Sequence, residues 1–110
     1  MDRVLLFFSA TPGIKVTVEI YFDEAENLVL EGYDIGKTVE EYWGDSDYEY
    51  TTTICPEEVK KLYKLFDLTP GEEKKLLSHL KSRFNSNRCY SELRELLIQN
   101  DIKFQSFSWM

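Results

Sequence analysis

Residues 40–50 combine acidic and aromatic side chains at a density found nowhere else in the chain. The eleven residues include four large aromatic side chains and no Lys or Arg. Their five carboxylates belong to Glu40, Glu41, Asp45, Asp47 and Glu49. Like charges this close repel one another, and a sequence selected for stability alone would intersperse cations. The segment therefore predicts a binding surface for a basic partner.

The aromatic residues of this segment fit the same prediction. Tyr and Trp provide rigid, amphipathic contact area of the kind that contributes most binding energy at protein interfaces. Trp43 lies between acidic residues, and Gly36 and Gly44 stand on either side of it as hinges. We therefore predict Trp43 as the aromatic anchor, with the five carboxylates as the charged part of the site.

Two other interpretations of this segment remain open. One is a solvated sheet face over buried tyrosines, which is what most surface charge runs are. The other is a cation site, because Asp45, Asp47 and Glu49 alternate as in the first half of an EF-hand loop. The loop would need Gly at Tyr50 and Glu at Pro56, so we predict no metal or cofactor. A small-ligand- or divalent-metal-binding regulatory domain is kept as the alternative function.

Side chains suited to catalysis are few. His79 is the only histidine and falls beside the apolar stripe of a predicted helix, where an exposed or half-packed ring is expected. Cys55 precedes a predicted helix whose dipole favours a thiolate, but we expect a small buried residue near the cap. No glycine-rich phosphate loop, nucleophile elbow or metalloprotease motif is present. We predict no catalytic residues and a protein that is not an enzyme.

Charge is divided unevenly along the chain. Residues 1–55 contain 12 acidic and 3 basic side chains, a net charge of −9, within a total of −7. Residues 56–110 contain 8 acidic and 10 basic side chains, a net charge of +2. An electronegative half repels phosphate groups, which argues against nucleic acid or an anionic membrane as its ligand. A basic protein is the expected partner.

The length of 110 residues suits one domain, residues 1–110, with a single core. No segment approaches the ~20 apolar residues needed to span a bilayer. The apolar run from Val4 to Phe8 has no cleavage site after it and is expected to be a strand. Cys55 and Cys89 lack CxxC spacing, so we expect free thiols in a reducing cytoplasm.

The first half of the chain has the alternating patterns of β-strands. Predicted strands are Arg3–Ser9, Ile14–Phe22, Leu28–Tyr33 and a fourth from Asp47 to Ile54. In the fourth, Tyr48, Tyr50, Thr52 and Ile54 share one face, and Asp47, Glu49, Thr51 and Thr53 share the other. Gly32 predicts a bulge or a close backbone approach. Residues 38–43 are expected to form a turn or two of helix.

The second half has the i, i+3, i+4 spacing of helices. The first begins at Pro56 and the third at Ser91, and Thr69 and Glu72 form a capping box before the second. The predicted buried side chains are Val59, Leu62, Tyr63, Phe66, Leu76, Leu77, Leu80, Phe84, Leu93, Leu96, Leu97 and Ile98. Residues 103–109 predict a last strand. The order β-β-β-β-α-α-α-β predicts an α+β fold, an antiparallel sheet of four to five strands with three helices on one face.

The central segment and the end of the chain resemble small acidic bacterial proteins, most of them uncharacterised. The likeness spans residues 30–55 and the C-terminus: Gly32-Tyr33-Asp34-Ile35-Gly36, Val39-Glu40-Glu41, Gly44-Asp45-Ser46-Asp47-Tyr48-Glu49-Tyr50 and Phe107-Ser108-Trp109. Some proteins of this size and charge are immunity proteins, which block a toxin, often a basic nuclease, delivered by a neighbouring cell. The resemblance implies a bacterial cytoplasmic protein, and the hypothesis is an immunity protein that neutralises a basic toxin domain by direct binding.

Overall fold

Five antiparallel strands form one sheet, and their order across the sheet is their order along the chain. In the computed structural model, which describes residues 3–36 and 47–109, the strands are β1 (Val4–Thr11), β2 (Ile14–Phe22), β3 (Leu28–Ile35), β4 (Asp47–Ile54) and β5 (Gln105–Trp109). Between β4 and β5 come helices α1 (Pro56–Leu65), α2 (Glu73–Arg83) and α3 (Cys89–Gln99). The predicted α+β class and element order are confirmed. The helical turn predicted at residues 38–43 lies outside the described residues.

The last strand, whose neighbour the sequence left open, pairs with β4. Thr52 stands opposite Ser106, and Glu49 stands opposite Trp109. On its other side β4 pairs with β3, so that Tyr50 faces Gly32. The acidic strand β4 is therefore held inside the sheet, between two neighbours, rather than at an edge.

One face of the sheet and one side of each helix form the core. Its fully buried side chains include Ile20, Leu28, Leu30 and Ile54 from the sheet and Leu62, Leu76, Leu80, Leu93 and Leu97 from the helices. The predicted helix stripes are confirmed except at Phe66, which is half-buried, and Ile98, which is 65% exposed because it lies beyond the side of α3 that meets the sheet. All three helices cover the same face, and Leu5, Phe8 and Phe107 on the opposite face are exposed. Among the described helices none is long and apolar enough to cross a membrane.

The first residues of α2 and α3 differ from the prediction, because a hydrogen-bonded turn precedes each helix. The Thr69 N–H donates to the Glu72 carboxylate at 3.0 Å, which is half of the predicted capping box, but α2 begins only at Glu73. The third helix begins at Cys89 rather than Ser91, because Ser86 accepts hydrogen bonds from the N–H groups of Arg88 and Cys89.

Strand ends also differ by up to two residues. Both β1 and β3 continue two residues beyond prediction, to Thr11 and Ile35. The last strand begins at Gln105 rather than Lys103, because the Lys103 N–H donates to Glu58 Oε1 at 2.7 Å. That bond, together with Lys61, lowers the pKa of Glu58. The end of α1 facing β5 therefore fixes the backbone that leads into the last strand.

Gly32 makes room for an aromatic ring of the neighbouring strand. It is buried, and a Cβ atom at this position would overlap the ring of Tyr50. Of the two predictions for Gly32, the close approach is therefore confirmed. The bulge lies instead in β1, between Leu5 and Phe7.

Replacing Gly32 by Ala is expected to destabilise the protein by about 1–3 kcal/mol, the usual cost of overpacking. Urea denaturation measures this change. In a Tyr50→Ala background the overlap is absent. Gly32→Ala is then expected to be neutral or stabilising, because alanine lowers the conformational entropy of the unfolded chain. Equal costs in the two backgrounds would contradict the assignment of the clash to Tyr50.

Candidate functional site

Of the six predicted partner-binding residues, Glu49 is the one whose side chain the structure describes. It lies half-buried on the sheet face opposite the helices, directly across from Tyr33. The predicted alternation of β4 is confirmed, since Thr52 and Ile54 are buried on the other face. The remaining predicted residues Glu40, Glu41, Trp43 and Asp45 lie outside the described residues, as does the side chain of Asp47.

Arg3 and the exposed Lys15 of β2 supply the cationic charge on the face that carries Glu49, and Arg3 is already paired. Arg3 lies at this face and pairs with both Glu19 and Glu31. Its guanidinium also lies 4.1 Å from the centre of the Tyr21 ring. Glu49 therefore has no ion-pair partner in the part of the chain that the structure describes.

An exposed aromatic residue lies close to this carboxylate. Phe107 in β5 is 64% exposed and stands opposite Thr51, two residues from Glu49. Tyr33 in β3 lies opposite Glu49 on the other side. Directly paired residues in a sheet have Cβ atoms about 5 Å apart, so these side chains form one continuous patch. We call Tyr33, Glu49, Thr51 and Phe107 the outer patch.

The helix-covered face contains a second feature, a cavity of about 440 Å³. Strands β3, β4 and β5 and helix α3 border it, and it is open to solvent. Its lining includes one carboxylate, one guanidinium, three tyrosines and a serine of the edge strand: Asp34, Arg94, Tyr48, Tyr50, Tyr90 and Ser106. We call this the inner cavity.

Tyr50 and Asp34 form a hydrogen-bonded pair in the inner cavity. The Tyr50 hydroxyl donates to Asp34 Oδ1 at 2.9 Å. Burial raises the pKa of Asp34, and the bond from Tyr50 opposes this shift in part. Burial, with the nearby carboxylate, raises the pKa of Tyr50 well above its ordinary value. Tyr50 therefore stays protonated and acts as a donor throughout the physiological pH range.

Tyr90 of α3 connects the helix to the sheet at the same place. Its hydroxyl lies 2.7 Å from Oγ1 of Thr52, a fully buried residue, and Thr52 also lies 3.3 Å from the Ser106 hydroxyl. The Tyr90 and Tyr50 rings meet edge to face with centroids 4.7 Å apart, and Tyr48 lies 5.4 Å from Tyr50. The three rings form a continuous aromatic wall.

Arg94 lies one turn after Tyr90 on α3. Its guanidinium carbon is 5.9 Å from the Tyr90 ring centre and 5.4 Å from that of Phe104. Its Nε is buried and donates to no group of the described chain. No carboxylate of residues 3–36 and 47–109 forms an ion pair with it. The positive charge of Arg94 is therefore not neutralised by a described carboxylate.

A larger cavity of about 580 Å³ lies at the other end of β3, beside the β2–β3 turn. Two of its acidic groups, Asp23 and Glu72, are already engaged within the chain. Asp23 accepts bonds from the N–H groups of Ala25 and Asn27, and Glu72 accepts from Thr69 and Lys75. No cluster of three His, Cys, Asp or Glu side chains in the described residues is suited to a metal ion.

The expectations for His79 and the cysteines have mixed outcomes. His79 is exposed, with its ring 4.2 Å from that of Phe66, as predicted. Cys55 and Cys89 are free thiols, also as predicted. The prediction that Cys55 is buried is wrong. The alternation of β4 that buries Ile54 turns the next side chain to solvent.

The sequence pattern did not indicate the roles of Asp34, Tyr90 and Arg94. A signal existed for Asp34, because it occupies the inward position after Leu28, Leu30 and Gly32 in β3, where an acid is costly unless it is partnered. For Arg94 the signal was weaker, since an arginine beside a leucine stripe is common. Only the packing of α3 on the sheet brings these residues together.

Tyr90→Phe is expected to destabilise the protein by about 1 kcal/mol, because Thr52 loses its shorter hydrogen bond inside the core. Urea denaturation is the measurement. Adding Thr52→Val removes the other partner as well. The double variant is therefore expected to lose less unfolding free energy than the sum of the losses in the two single variants. Strict additivity would show that the two hydroxyls do not interact.

Asp34→Asn is expected to change how stability depends on pH. Burial raises the pKa of Asp34, so the folded protein binds this proton more tightly than the unfolded chain does. The resulting stabilisation is complete below the unfolded pKa, about 3.9, and is lost as pH rises through the folded pKa. The unfolding free energy of the wild type minus that of Asp34→Asn should therefore fall as pH rises above about 4.

Urea denaturation of both proteins at intervals between pH 3.5 and 7 measures this difference. Asp67→Asn, at an exposed site after α1, is the control. A difference that rises with pH would contradict the assignment.

Comparisons with protein-family models, with curated proteins and with solved structures find no significant match to this chain. Its function is therefore inferred from the outer patch, the inner cavity and the acidic segment themselves.

Proposed function

We propose that this protein is a non-enzymatic cytoplasmic protein that binds a basic protein partner through the outer patch and residues 40–47. Its role is that of a bacterial immunity protein, which neutralises a basic toxin domain such as a nuclease by direct contact. The observation that carries the proposal is the position of Glu49, an acid that forms no ion pair with a described residue and lies on the sheet face that no helix covers.

The composition of the outer patch supports a protein partner. Protein interfaces combine an aromatic centre with polar groups around it, and charged residues give the orientation of docking. Phe107 and Tyr33 supply the aromatic area, and Glu49 supplies the charge. The sign of that charge favours Lys or Arg on the partner.

The acidic segment is attached to the same region of the sheet. Ile35 at the end of β3 pairs with Asp47 at the start of β4, so residues 36–46 leave and re-enter the sheet at neighbouring positions. The entry point is two residues from Glu49. Along the chain, Trp43 and the predicted carboxylates Glu40, Glu41 and Asp45 therefore fall between two residues of the outer patch, Tyr33 and Glu49.

The test begins with the gene beside the one for this protein. A large secreted protein with a toxic C-terminal domain is the expected neighbour, and that domain supplies the purified partner. Co-expression should protect cells from it. Its association rate should fall at least tenfold between roughly 20 and 500 mM salt, as for electrostatically steered encounters. An association rate that does not change with salt concentration would contradict the electrostatic part of the proposal.

Glu49→Lys is expected to weaken this complex roughly tenfold or more, because it places like charges together at the interface. Glu24→Lys is the matched control, since it makes the same charge change at an exposed site in the β2–β3 turn. Titration calorimetry gives the affinities and melting curves give the stabilities. Equal losses for both variants would show that net charge, not the outer patch, governs binding.

Trp43→Ala is expected to reduce affinity for the same partner more than it reduces thermal stability, as for an aromatic anchor. Calorimetry and melting curves are again the measurements.

The divalent-metal alternative has its own test, a calcium or magnesium titration in which the melting temperature is followed. A metal that binds only the folded state raises the melting temperature, and no shift at millimolar metal would exclude this alternative.

A further inference from the structure

The inner cavity brings an acid and a base together. Among its described lining residues Asp34 is the only carboxylate and Arg94 the only cation. A sequence of contacts connects them, because Asp34 bonds to Tyr50, Tyr50 meets Tyr90, and Tyr90 lies beside Arg94. The two charges therefore belong to one site, although they come from β3 and α3. We propose that the inner cavity binds a small zwitterion of the amino-acid class, its carboxylate on Arg94 and its ammonium group on Asp34.

Arg94 supports the anionic end of the ligand. Arg94 lines the inner cavity, and no carboxylate of residues 3–36 and 47–109 forms an ion pair with it. The planar guanidinium offers two parallel N–H groups that match a carboxylate. A phosphate group suits the cavity less well, because a dianion would meet a single cation and would be repelled by Asp34.

Asp34 supports the cationic end. Among the described groups its only hydrogen-bond donor is the Tyr50 hydroxyl, which binds Oδ1 and leaves Oδ2 for a ligand. An ammonium group near Oδ2 would offset the cost of holding this carboxylate in a half-buried place. Tyrosine ring faces also attract ammonium groups, which adds to the binding.

The dimensions and walls of the cavity suit such a ligand. Ligand sites commonly have volumes of roughly 300–1,000 Å³, and the inner cavity has about 440 Å³. Tyr48, Tyr50 and Tyr90 provide apolar area for a side chain, and Ser106 provides a hydroxyl. In the larger cavity beside the β2–β3 turn, Asp23 and Glu72 are already bound within the chain.

The experiment is a melting assay of the full chain with each of the twenty L-amino acids at 10 mM, followed by calorimetry of those that act. At tenfold excess over Kd, a ligand of the folded state is expected to raise the melting temperature by roughly 5 °C. Two analogues of an active amino acid, one without the amino group and one without the carboxylate, are expected to bind at least tenfold more weakly. If no amino acid shifts the wild type, or if an analogue binds equally well, the proposal is overturned.

Variants locate the binding. Arg94→Met and Asp34→Asn are each expected to weaken binding of the amino acid at least tenfold. Arg88 is an exposed arginine just before α3, and Arg88→Met is expected to leave this binding unchanged. Undiminished binding by Arg94→Met would overturn the assignment. If that variant fails to fold, the wild-type NMR signal of the Arg94 Nε–H decides, because direct binding must shift it. Glu49→Lys is expected to keep this binding, so the outcome is independent of the proposed function.

Discussion

The ring of Tyr50 lies across the backbone of Gly32, and the helix-covered end of the sheet depends on this close approach. Because β3 has no Cβ at that point, the Tyr50 hydroxyl reaches Asp34 on the same strand. The ring also meets the edge of Tyr90, which in turn holds Thr52. The place of α3 on the sheet and the shape of the inner cavity both follow from the absence of one methyl group in β3.

The two faces of β4 divide structural from binding chemistry. Tyr50 and Thr52 point inward and join β3, β5 and α3 through their hydroxyls, whereas Glu49 points outward with no cation of the described chain beside it. A one-residue shift in the register of β4 would exchange these roles and bury the acid. The inward hydrogen bonds therefore also fix which side chains the strand presents to solvent.

Elements with a local pattern were predictable from the sequence. The alternation of residues 14–22 gives β2 its bounds, and the leucines of α2 and α3 lie buried at helical spacing. What depends on distant contacts was not predictable. Glu58 delays the start of β5, and Ile98 is exposed because it lies beyond the side of α3 that meets the sheet. The pairing of β5 with β4 is decided only by tertiary packing. Asp34 and Arg94 stand 60 positions apart and share a cavity for the same reason.

The position of all three helices after β4 has a consequence for biosynthesis. Hairpins form in about 1–10 μs, so β1–β4 can pair as soon as they leave the ribosome. Helices α1 to α3 span residues 56–99, which take roughly 2–9 s to translate at typical rates of 5–20 residues per second. During that interval the core side chains Ile20, Leu30 and Ile54 are not yet buried by the helices. The nascent segment bears a net charge of −9, and mutual repulsion between neighbouring nascent chains opposes their aggregation until the helices arrive.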